Sequence, residues 1–394
     1  MSEIKVNSIK GVGASTAAIT VNNSDGTCTA NITNNLSNRN LIINGAMRVA
    51  QRGTTSTVNG FGSIDRWQFN YGGHDNAITQ SQIDVAPTET GAGTSGFRNA
   101  FRITNGNQTS GFGATDYFQF QQMIEDQNIA NSGWIVNDPN SKITLTYWIR
   151  SSVAQEYFGF VETYHGDDWM FGWSTGVLSA NTWTKITKTI NGRSNLTWGN
   201  DNMHGLLVAP VTLWGSNYTD SSVGNDVWHQ YFSSSRTPDA TSTWWTTNGA
   251  TIDITGVQLE VGSFSSDFEF RSIEEDLAKC QRYFYQATKI GSTSEVTNAP
   301  IAAGFYLTAS DYRAVIDFPV EMRAAPTLSS NDNSGSYYIH YNANADTIDR
   351  LDSFFNTKRR SIVRNTAHVS GTQGYFGMLH QETGDSNLNF SAEL

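Results

Sequence analysis

The chain of 394 residues is long enough for two or three domains. Its net charge of −11 argues against a nucleic-acid partner, and the absence of an apolar run of about 18 residues argues against membrane insertion. Charged residues make up only 15% of the chain, and its 35 glycines outnumber its 25 lysines and arginines. The polar surface is therefore carried mainly by Asn, Ser, Thr and Gly, which is typical of a mainly β protein with tight turns.

The first 38 residues form a small polar segment. Ile19 and Val21 end one short strand, and residues 28–32 alternate apolar and polar side chains in another. Between them NNSDG, residues 22–26, is a strong turn signal, so a β-hairpin is predicted. Such a hairpin cannot bury an apolar face alone. We expect residues 1–38 to pair with another chain or to dock onto another surface, with a flexible tail as the alternative.

A larger β domain is predicted over residues 39–286. Residues 143–149 alternate apolar and polar side chains over a full strand. In the strand Thr251–Val261 the apolar positions change from even to odd at Gly256. A β-bulge at this glycine would keep the apolar side chains on one face, so we predict a bulged strand in a sandwich.

One helix is predicted at the end of this domain, in SIEEDLAKCQRYF. Ser272 and Glu275 have the spacing of a capping box, in which each side chain accepts from a backbone N–H. An apolar stripe follows at helical spacing: Ile273, Leu277, Cys280 and Phe284. The helix is expected to close the sandwich through this stripe.

Residues 287–394 are predicted to form a smaller C-terminal β domain. Pro319 and Pro326 place the segment between them at an edge or turn, and LNFSAEL is predicted to be a paired strand. The only cysteines, Cys28 and Cys280, are too few for a disulfide framework or a zinc site. No cofactor and no metal site are predicted. Residues 1–15 lack the apolar core of a signal peptide, so synthesis in a reducing cytoplasm is expected.

Several segments, in this order, resemble a domain of bacteriophage tail-fibre and related virion proteins. They are NLIINGAMRVAQRG with IDRW, FQFQQMIEDQNI with KITLTYWIRSS, TGVQLEVGSFSSDFEFRSIEEDLAKCQRYF, and FPVEMRAAPTL in the last region. The resemblance implies a jelly-roll β-sandwich, similar to carbohydrate-binding modules, on a homotrimeric fibre. It gives residues 1–38 the role of attachment to other virion proteins or of trimer formation.

The function implied by the resemblance is recognition of a host surface polysaccharide by a tail fibre or receptor-binding protein. The protein would then be made in the host bacterial cytoplasm and reside in the virion. One alternative is a capsid decoration or fibre protein that binds only other virion proteins. A glycan-degrading tail enzyme is the third possibility.

No catalytic residues are predicted, and the chain is not expected to be an enzyme. GWSTG at residues 172–176 has the G-x-S-x-G pattern, but a strand-like stretch follows instead of the helix that a nucleophile elbow requires. Glu156 with Glu162, or Asp167 with Asp168, could form a carboxylate pair for glycoside hydrolysis, although spacing alone does not place two carboxyls across a cleft. HGDD at residues 165–168 could offer oxygens to Ca²⁺, but a polar loop tip is the simpler interpretation.

The segment TYHGDDWMFGW concentrates groups that suit sugars. Tryptophan and tyrosine rings stack on the C–H faces of sugars, and neighbouring carboxylates and imidazoles bond hydroxyls. The candidate glycan site consists of Tyr164, His165, Asp167, Asp168, Trp169 and Trp173. Trp169 or Trp173 is predicted to be the exposed platform. Trp67, Trp148 and Trp183 are predicted to be core, and one of Trp244 and Trp245 is predicted to be exposed or at a subunit interface if the segment is extended.

Overall fold

A computed structural model describes residues 6–12, 15, 17–22, 24, 26, 28–30, 38–288, 298–330, 335–382 and 386–394. The N-terminal part is an antiparallel sheet of three short strands: β1 (Ser8–Ile9), β2 (Ile19–Val21) and β3 (Cys28–Ala30). Val21 pairs with Cys28, and Gly26 N–H donates to the Asn22 carbonyl at 2.9 Å. The predicted hairpin is therefore confirmed, with one strand more than the sequence indicated.

The middle of the chain folds as a β-sandwich of two six-stranded antiparallel sheets, which confirms the predicted fold class. The first sheet has the order β14-β11-β10-β13-β8-β5, and the second has the order β12-β9-β15-β7-β6-β4. Consecutive strands repeatedly cross between the sheets, as in a jelly roll. The elements are β4 (Thr55–Ser56), β5 (Gln68–Gly72), β6 (Thr79–Asp84), β7 (Asn99–Thr104), β8 (Tyr117–Glu125), α1 (Asp126–Ala130), β9 (Lys142–Ser151), β10 (Glu156–Thr163), β11 (Trp169–Val177), β12 (Thr184–Asn191), β13 (His204–Trp214), β14 (Val227–Gln230), α2 (Thr243–Thr246) and β15 (Thr251–Val261).

The predicted bulge in β15 is confirmed. The register between β15 and β9 shifts between Thr255 and Gln258, and Gly256 has a φ of +64°. A Cβ at Gly256 would lie 2.5 Å from the ring of Phe97. Both the backbone conformation and the packing therefore require glycine at this position.

The predicted helix is α3 (Ile273–Gln281), and half of its capping box is present. Glu275 N–H donates to Ser272 Oγ at 3.1 Å, while the Glu275 carboxylate pairs with Arg271 and Lys279. Cys280 is buried as predicted, but Ile273 is exposed. The expected apolar stripe is thus incomplete, since the buried side of the first turn carries Asp276, which lies 3.6 Å from Arg48.

The C-terminal part contains two further antiparallel sheets. Their strands are β16 (Phe284–Gln286), β17 (Pro300–Thr308), β18 (Asp311–Asp317), β19 (Thr327–Ser330), β20 (Tyr337–Tyr341), β21 (Asn344–Ile348), β22 (Asp352–Asn356), β23 (Arg360–Asn365), β24 (Phe376–Gln381) and β25 (Leu388–Ser391). Seven form a sheet in the order β21-β20-β24-β17-β18-β23-β22, and three form a sheet in the order β16-β25-β19. As predicted, residues 319–326 lie outside strands and β25 is paired.

A buried ionic network joins the C-terminal part to the sandwich. Arg66 is buried, pairs with Glu393, and lies with its guanidinium carbon 3.5 Å from the ring centroid of Tyr283. Arg282 donates to both carboxylate oxygens of Glu125 at 2.8 Å. Arg66, Glu125, Arg282 and Tyr283 all lie in the segments that resemble the phage domain, and only Glu393 lies outside them. Those segments therefore build most of this junction.

The tryptophans correct one expectation from the sequence. Trp67 and Trp183 are buried as predicted, and Trp148 is half-buried. Trp244 and Trp245 are both buried, so the prediction that one of them is exposed is wrong. They lie in the short helix α2, where the alternation of an extended strand does not apply.

Candidate functional site

The first sheet of the sandwich has an inner face toward the core and an outer face turned away from the second sheet. Phe118 and Phe120 belong to the core cluster, so the intervening Gln119 and its neighbour Gln121 belong to the outer face. A separate small apolar cluster also lies on the outer face, formed by Phe160, Met170, Leu207 and Ala209. The outer face therefore combines apolar packing with amide side chains.

One end of the outer face forms a cavity of about 240 Å³, which we call the outer cleft. It is lined by Asn70, Tyr117, Gln119, Trp214, Tyr218 and Arg236. Sites that bury a whole drug-sized ligand are usually larger, roughly 300–1,000 Å³. The outer cleft is therefore suited to one unit of a longer chain.

Three aromatic rings form an apolar wall in the outer cleft. Tyr117 and Trp214 are stacked with ring centroids 4.9 Å apart and an interplanar angle of 16°. They are direct partners in the pairing of β8 with β13, which places both side chains on one face. Tyr218 meets the Trp214 ring edge-on at 5.2 Å. Trp214 is 4% exposed, so the ring surface that the wall can offer to the C–H face of a sugar belongs to the half-buried Tyr117 and Tyr218.

The segment that follows β13 brings Tyr218 and Arg236 together. Arg236 N–H donates to the Tyr218 carbonyl at 2.8 Å, and Thr219 and Thr237 form a parallel β-bridge. Thr219 Oγ1 also donates to Asp239 at 2.6 Å. Tyr218 and Arg236, 18 positions apart in the chain, therefore occupy adjacent and mutually fixed positions at the outer cleft.

Several polar groups of the outer cleft can still form hydrogen bonds with a ligand. The side chain of Asn70 and the hydroxyls of Tyr117 and Tyr218 have no hydrogen-bond partner among the residues that the structure describes. Gln119 donates to Gln121, which donates to Gln68 at 2.6 Å, so this row of amides holds a fixed orientation. Amide and phenol groups both donate and accept, which suits the hydroxyls of a sugar.

Next to the outer cleft lies an acidic group in an unusual environment. Glu162 is only 6% exposed, and its carboxyl group has no hydrogen bond or ion pair with any described residue. Burial raises the pKa of its carboxyl from 4.5 to about 7; Arg236 opposes the shift and Asp168 adds to it. The pKa of the neighbouring Tyr164 phenol is also raised, mainly by burial and to a smaller extent by the charge of Glu162. Arg236 lines the outer cleft, so its charge couples the ionisation of Glu162 to the cleft.

Trp173, one of the two proposed platforms, is a core residue. Its side chain is 0% exposed, and its indole N–H donates to the Tyr147 hydroxyl at 3.0 Å. The prediction of an exposed ring at Trp173 is therefore wrong. Trp169, Phe171 and Trp173 alternate along β11 and all pack toward the core, which is the period-two signal that the sequence contained.

The structure separates the remaining predicted site residues. Trp169 is half-buried, and the Arg193 guanidinium carbon lies 3.6 Å from its ring centroid, so this ring is already in contact with a cation. His165 bonds Asp126, away from the outer cleft. Asp167 is exposed, whereas Asp168 and Tyr164 are half-buried beside Glu162. Only Tyr164 and Asp168 of the six therefore adjoin the outer face near the outer cleft.

The residues of the outer cleft leave almost no signal in the sequence. The alternating F-Q-F-Q of residues 118–121 marks Gln119 as opposite to the core, which is the one usable signal. Trp214 ends a strand that is apolar on both faces, and Arg236 and Tyr218 lie in a segment without periodicity. Only the folded chain brings these three together.

The motifs considered for catalysis and metal binding have other roles. Ser174 lies within β11, and its hydroxyl donates to Glu156, so the strand-to-helix turn of a nucleophile elbow is not formed there. Among the described residues, no three His, Cys, Asp or Glu side chains are grouped as a metal site. No helix in the described ranges is long and apolar enough to cross a membrane.

A larger cavity of about 660 Å³ lies beside α3, lined in part by Asn38, Asn128, Lys279 and Arg282. Its one aromatic ring belongs to Tyr283, whose hydroxyl donates to Glu125 at 2.5 Å and whose ring contacts Arg66. That ring is part of the junction, so the outer cleft is the better candidate for stacking on a sugar.

No family model matches the sequence, and comparison with curated proteins found no match. Solved structures similar to this chain include an enzymatically active domain of tailspike protein 4 from bacteriophage CBA120, with 12% identity and a TM-score of 0.30. The match covers 57% of this chain and 22% of the tailspike chain.

Two carbohydrate-binding modules are also similar. One, TmCBM61, was solved with β-1,4-galactotriose; it has 10% identity and a TM-score of 0.26, with coverage of 57% of this chain and 99% of the module. The family 11 module of a Clostridium thermocellum cellulase has 11% identity and a TM-score of 0.23, with coverage of 53% and 95%. At these values the function must be argued from the site itself.

Proposed function

We propose that this protein binds glycans through the outer cleft. The observation that carries the proposal is the aromatic wall of Tyr117, Trp214 and Tyr218 beside the unpartnered amide of Asn70. Ring faces bury the apolar side of a sugar while amides and phenols bond its hydroxyls, and neither contribution alone gives both affinity and orientation. The cleft lining contains no carboxylate, so we propose binding without catalysis.

The biological setting we propose is a bacteriophage fibre that recognises host surface polysaccharide. The ordered motifs from NLIINGAMRVAQRG to FPVEMRAAPTL support it, since they resemble virion proteins in both composition and order. In this setting the protein is made in the bacterial cytoplasm and assembled into the virion. Electron microscopy of particles labelled with an antibody against the chain tests this, and label on the head in place of the tail would contradict it.

We further propose that the chain is a homotrimer attached through residues 1–38. The N-terminal sheet is small, and Ile9 in β1 and Val12 after it are exposed. Exposed apolar side chains on so small a sheet favour a partner. Light scattering of the purified protein should give the mass of three chains, and Ile9→Asp should lower it. A monomer at micromolar concentration would contradict the trimer.

Glycan-array binding and adsorption to host cells test the main proposal. The unmodified chain should bind a subset of bacterial glycans, and Tyr218→Ala should lose most of this binding. Tyr375→Ala, which removes an exposed tyrosine of the C-terminal part, is the matched control and should bind normally. Equal binding by both variants would show that the outer cleft is not the site.

A second candidate function is binding to other virion proteins alone. The observation that favours it lies on the seven-stranded sheet, where Phe305 and Phe376 are direct partners across β17 and β24 and are 47% and 62% exposed. Exposed aromatic pairs of this kind occur at protein interfaces. This second function is supported if the glycan array shows no binding and Phe305→Asp abolishes assembly of the protein into particles.

A further inference from the structure

Arg236 differs from most arginines of this chain. Arg66, Arg102, Arg150 and Arg282 each pair with a carboxylate. The guanidinium of Arg236 has no carboxylate within 4.0 Å among the described residues, although the chain contains 36 aspartates and glutamates. The nearby carboxyl of Glu162 interacts with Arg236 electrostatically but forms no ion pair with it. The outer cleft therefore contains a cation with no direct counter-charge.

The surrounding rings hold this cation in place. The Arg236 guanidinium carbon lies 4.4 Å from the ring centroid of Trp214 and 5.4 Å from those of Tyr218 and Tyr231. Cation–π contacts stabilise the charge through the face of the guanidinium, and Tyr231 accepts one side-chain hydrogen bond from Arg236; the other N–H groups at the edge of the guanidinium, among them the buried Nε, have no partner in the described residues. Those groups form a planar fork that matches the two oxygens of a carboxylate.

We propose that the outer cleft selects acidic glycans, with Arg236, held on the Trp214 ring, receiving the carboxylate of a sugar acid unit while Tyr117 and Tyr218 contact its ring. This inference rests on the proposed glycan-binding function and adds the chemical class of the sugar. Because the chain carries a net charge of −11, long-range forces do not attract an acidic polymer. The attraction must come from a local, partly desolvated cation, which is what Arg236 provides.

The charged and titratable groups around Arg236 permit this role. The lining of the outer cleft includes no Asp or Glu. Glu162 on β10 and Asp168 before β11 lie on one side, together with the phenols of Tyr164 and Tyr231. Burial keeps the Glu162 carboxyl largely neutral below its pKa of about 7, so under those conditions it does not neutralise Arg236.

The test uses two forms of one ligand. An oligosaccharide of glucuronic acid is compared with the same oligosaccharide after its carboxyls have been reduced to alcohols, by calorimetric titration of the full chain at pH 6. The unmodified protein should bind the acidic form about tenfold more tightly or better, as expected for a charge-assisted pair. Arg236→Gln should lose this preference but keep the weaker binding of the reduced form.

Two further variants separate recognition from folding. Arg236→Lys keeps the charge without the planar fork, so it should retain part of the preference. Arg193→Gln removes an arginine that is stacked on Trp169 outside the outer cleft, and it should keep the full preference. Thermal melts of all three confirm that the folded chains are compared.

The outcomes are distinguishable. Equal binding of the acidic and reduced forms by the unmodified protein would overturn the selection of acidic sugars and leave the proposed glycan binding intact. A preference that survives Arg236→Gln would overturn the role of Arg236. Binding of neither form would count against the proposed function itself and against this inference with it.

Discussion

Trp173 and Trp214 lie on opposite faces of the same six-stranded sheet and are almost equally buried, at 0% and 4% exposure. Their surroundings nevertheless differ. Trp173 packs in the core and donates to Tyr147, whereas Trp214 contacts Tyr117, Tyr218 and the guanidinium of Arg236. The neighbours of Trp173 are mainly apolar, and those of Trp214 carry polar groups that face a cavity. Fractional burial alone therefore does not distinguish a core ring from a ring that lines a surface cavity.

The same contrast extends along both faces. The inner face is continuous with the second sheet, so its side chains are selected for packing. The outer face is covered in part by the segment after Trp214, which brings Tyr218, Tyr231 and Arg236 over it. The segment around β14 thus places aromatic and charged side chains against an amide-rich face, while the opposite face remains a core.

The largest expected effect on stability belongs to the inner face. Trp173→Ala should lower the free energy of unfolding by about 3–5 kcal/mol, because it opens a large cavity and removes a buried hydrogen bond. Trp173→Phe, which keeps an aromatic ring, should cost less. Urea unfolding measures both, and an alanine variant as stable as the unmodified chain would remove Trp173 from the core.

The second prediction concerns Glu162 on the outer face. Its pKa is raised on folding from 4.5 to about 7, so its contribution to stability is fully present below pH 4.5 and is lost as pH rises through 7. At pH 8 Glu162→Gln should therefore be more stable than the unmodified chain by about 2–3 kcal/mol, an advantage that vanishes near pH 4. Urea unfolding across this pH range measures it, with Glu274→Gln, an exposed glutamate, as the control. An advantage independent of pH would contradict the assignment.

The bulge gives a third and smaller effect. Gly256→Val should destabilise the chain by about 1–3 kcal/mol, since a β-branched side chain at positive φ would also meet the Phe97 ring. Gly111 also has a positive φ, of +83°, but has open space around it, so Gly111→Val carries the backbone strain alone. The loss of melting temperature in Gly256→Val minus the loss in Gly111→Val measures the cost of the clash with Phe97. Equal losses in the two variants would show that this packing contributes nothing.

The smallest effect on stability is expected at the outer cleft, where the effect on binding is largest. Tyr218→Ala should lower stability by about 1 kcal/mol, since its half-buried ring contacts Tyr117 and Trp214, yet weaken glycan binding by about 2 kcal/mol, or roughly thirtyfold. Trp169→Ala should leave affinity unchanged, because its ring lies away from the outer cleft. If Trp169→Ala weakened binding and Tyr218→Ala did not, the site would lie at the loop around Gly166 instead of the outer cleft.

The sequence alone determined the local features whose causes are local. Alternation identified β9, the change of phase identified the bulge at Gly256, and NNSDG identified the N-terminal hairpin. Capping chemistry identified the start of α3 at Ser272. Each depends on residues within about ten positions, where side-chain period and backbone preference act directly.

Only the tertiary structure decided which rings are exposed and which polar groups meet. Trp169 and Trp173 were grouped with His165 and Asp168 because they are neighbours in sequence. The structure shows that β11 turns both rings inward, while His165, in the loop before β11, bonds Asp126. The outer cleft instead assembles residues from Asn70 to Arg236 across three strands and the two loops that flank β14. Such a site depends on strand order and on loop placement, which are set by the packing of the whole chain and leave no periodic signal in any one segment.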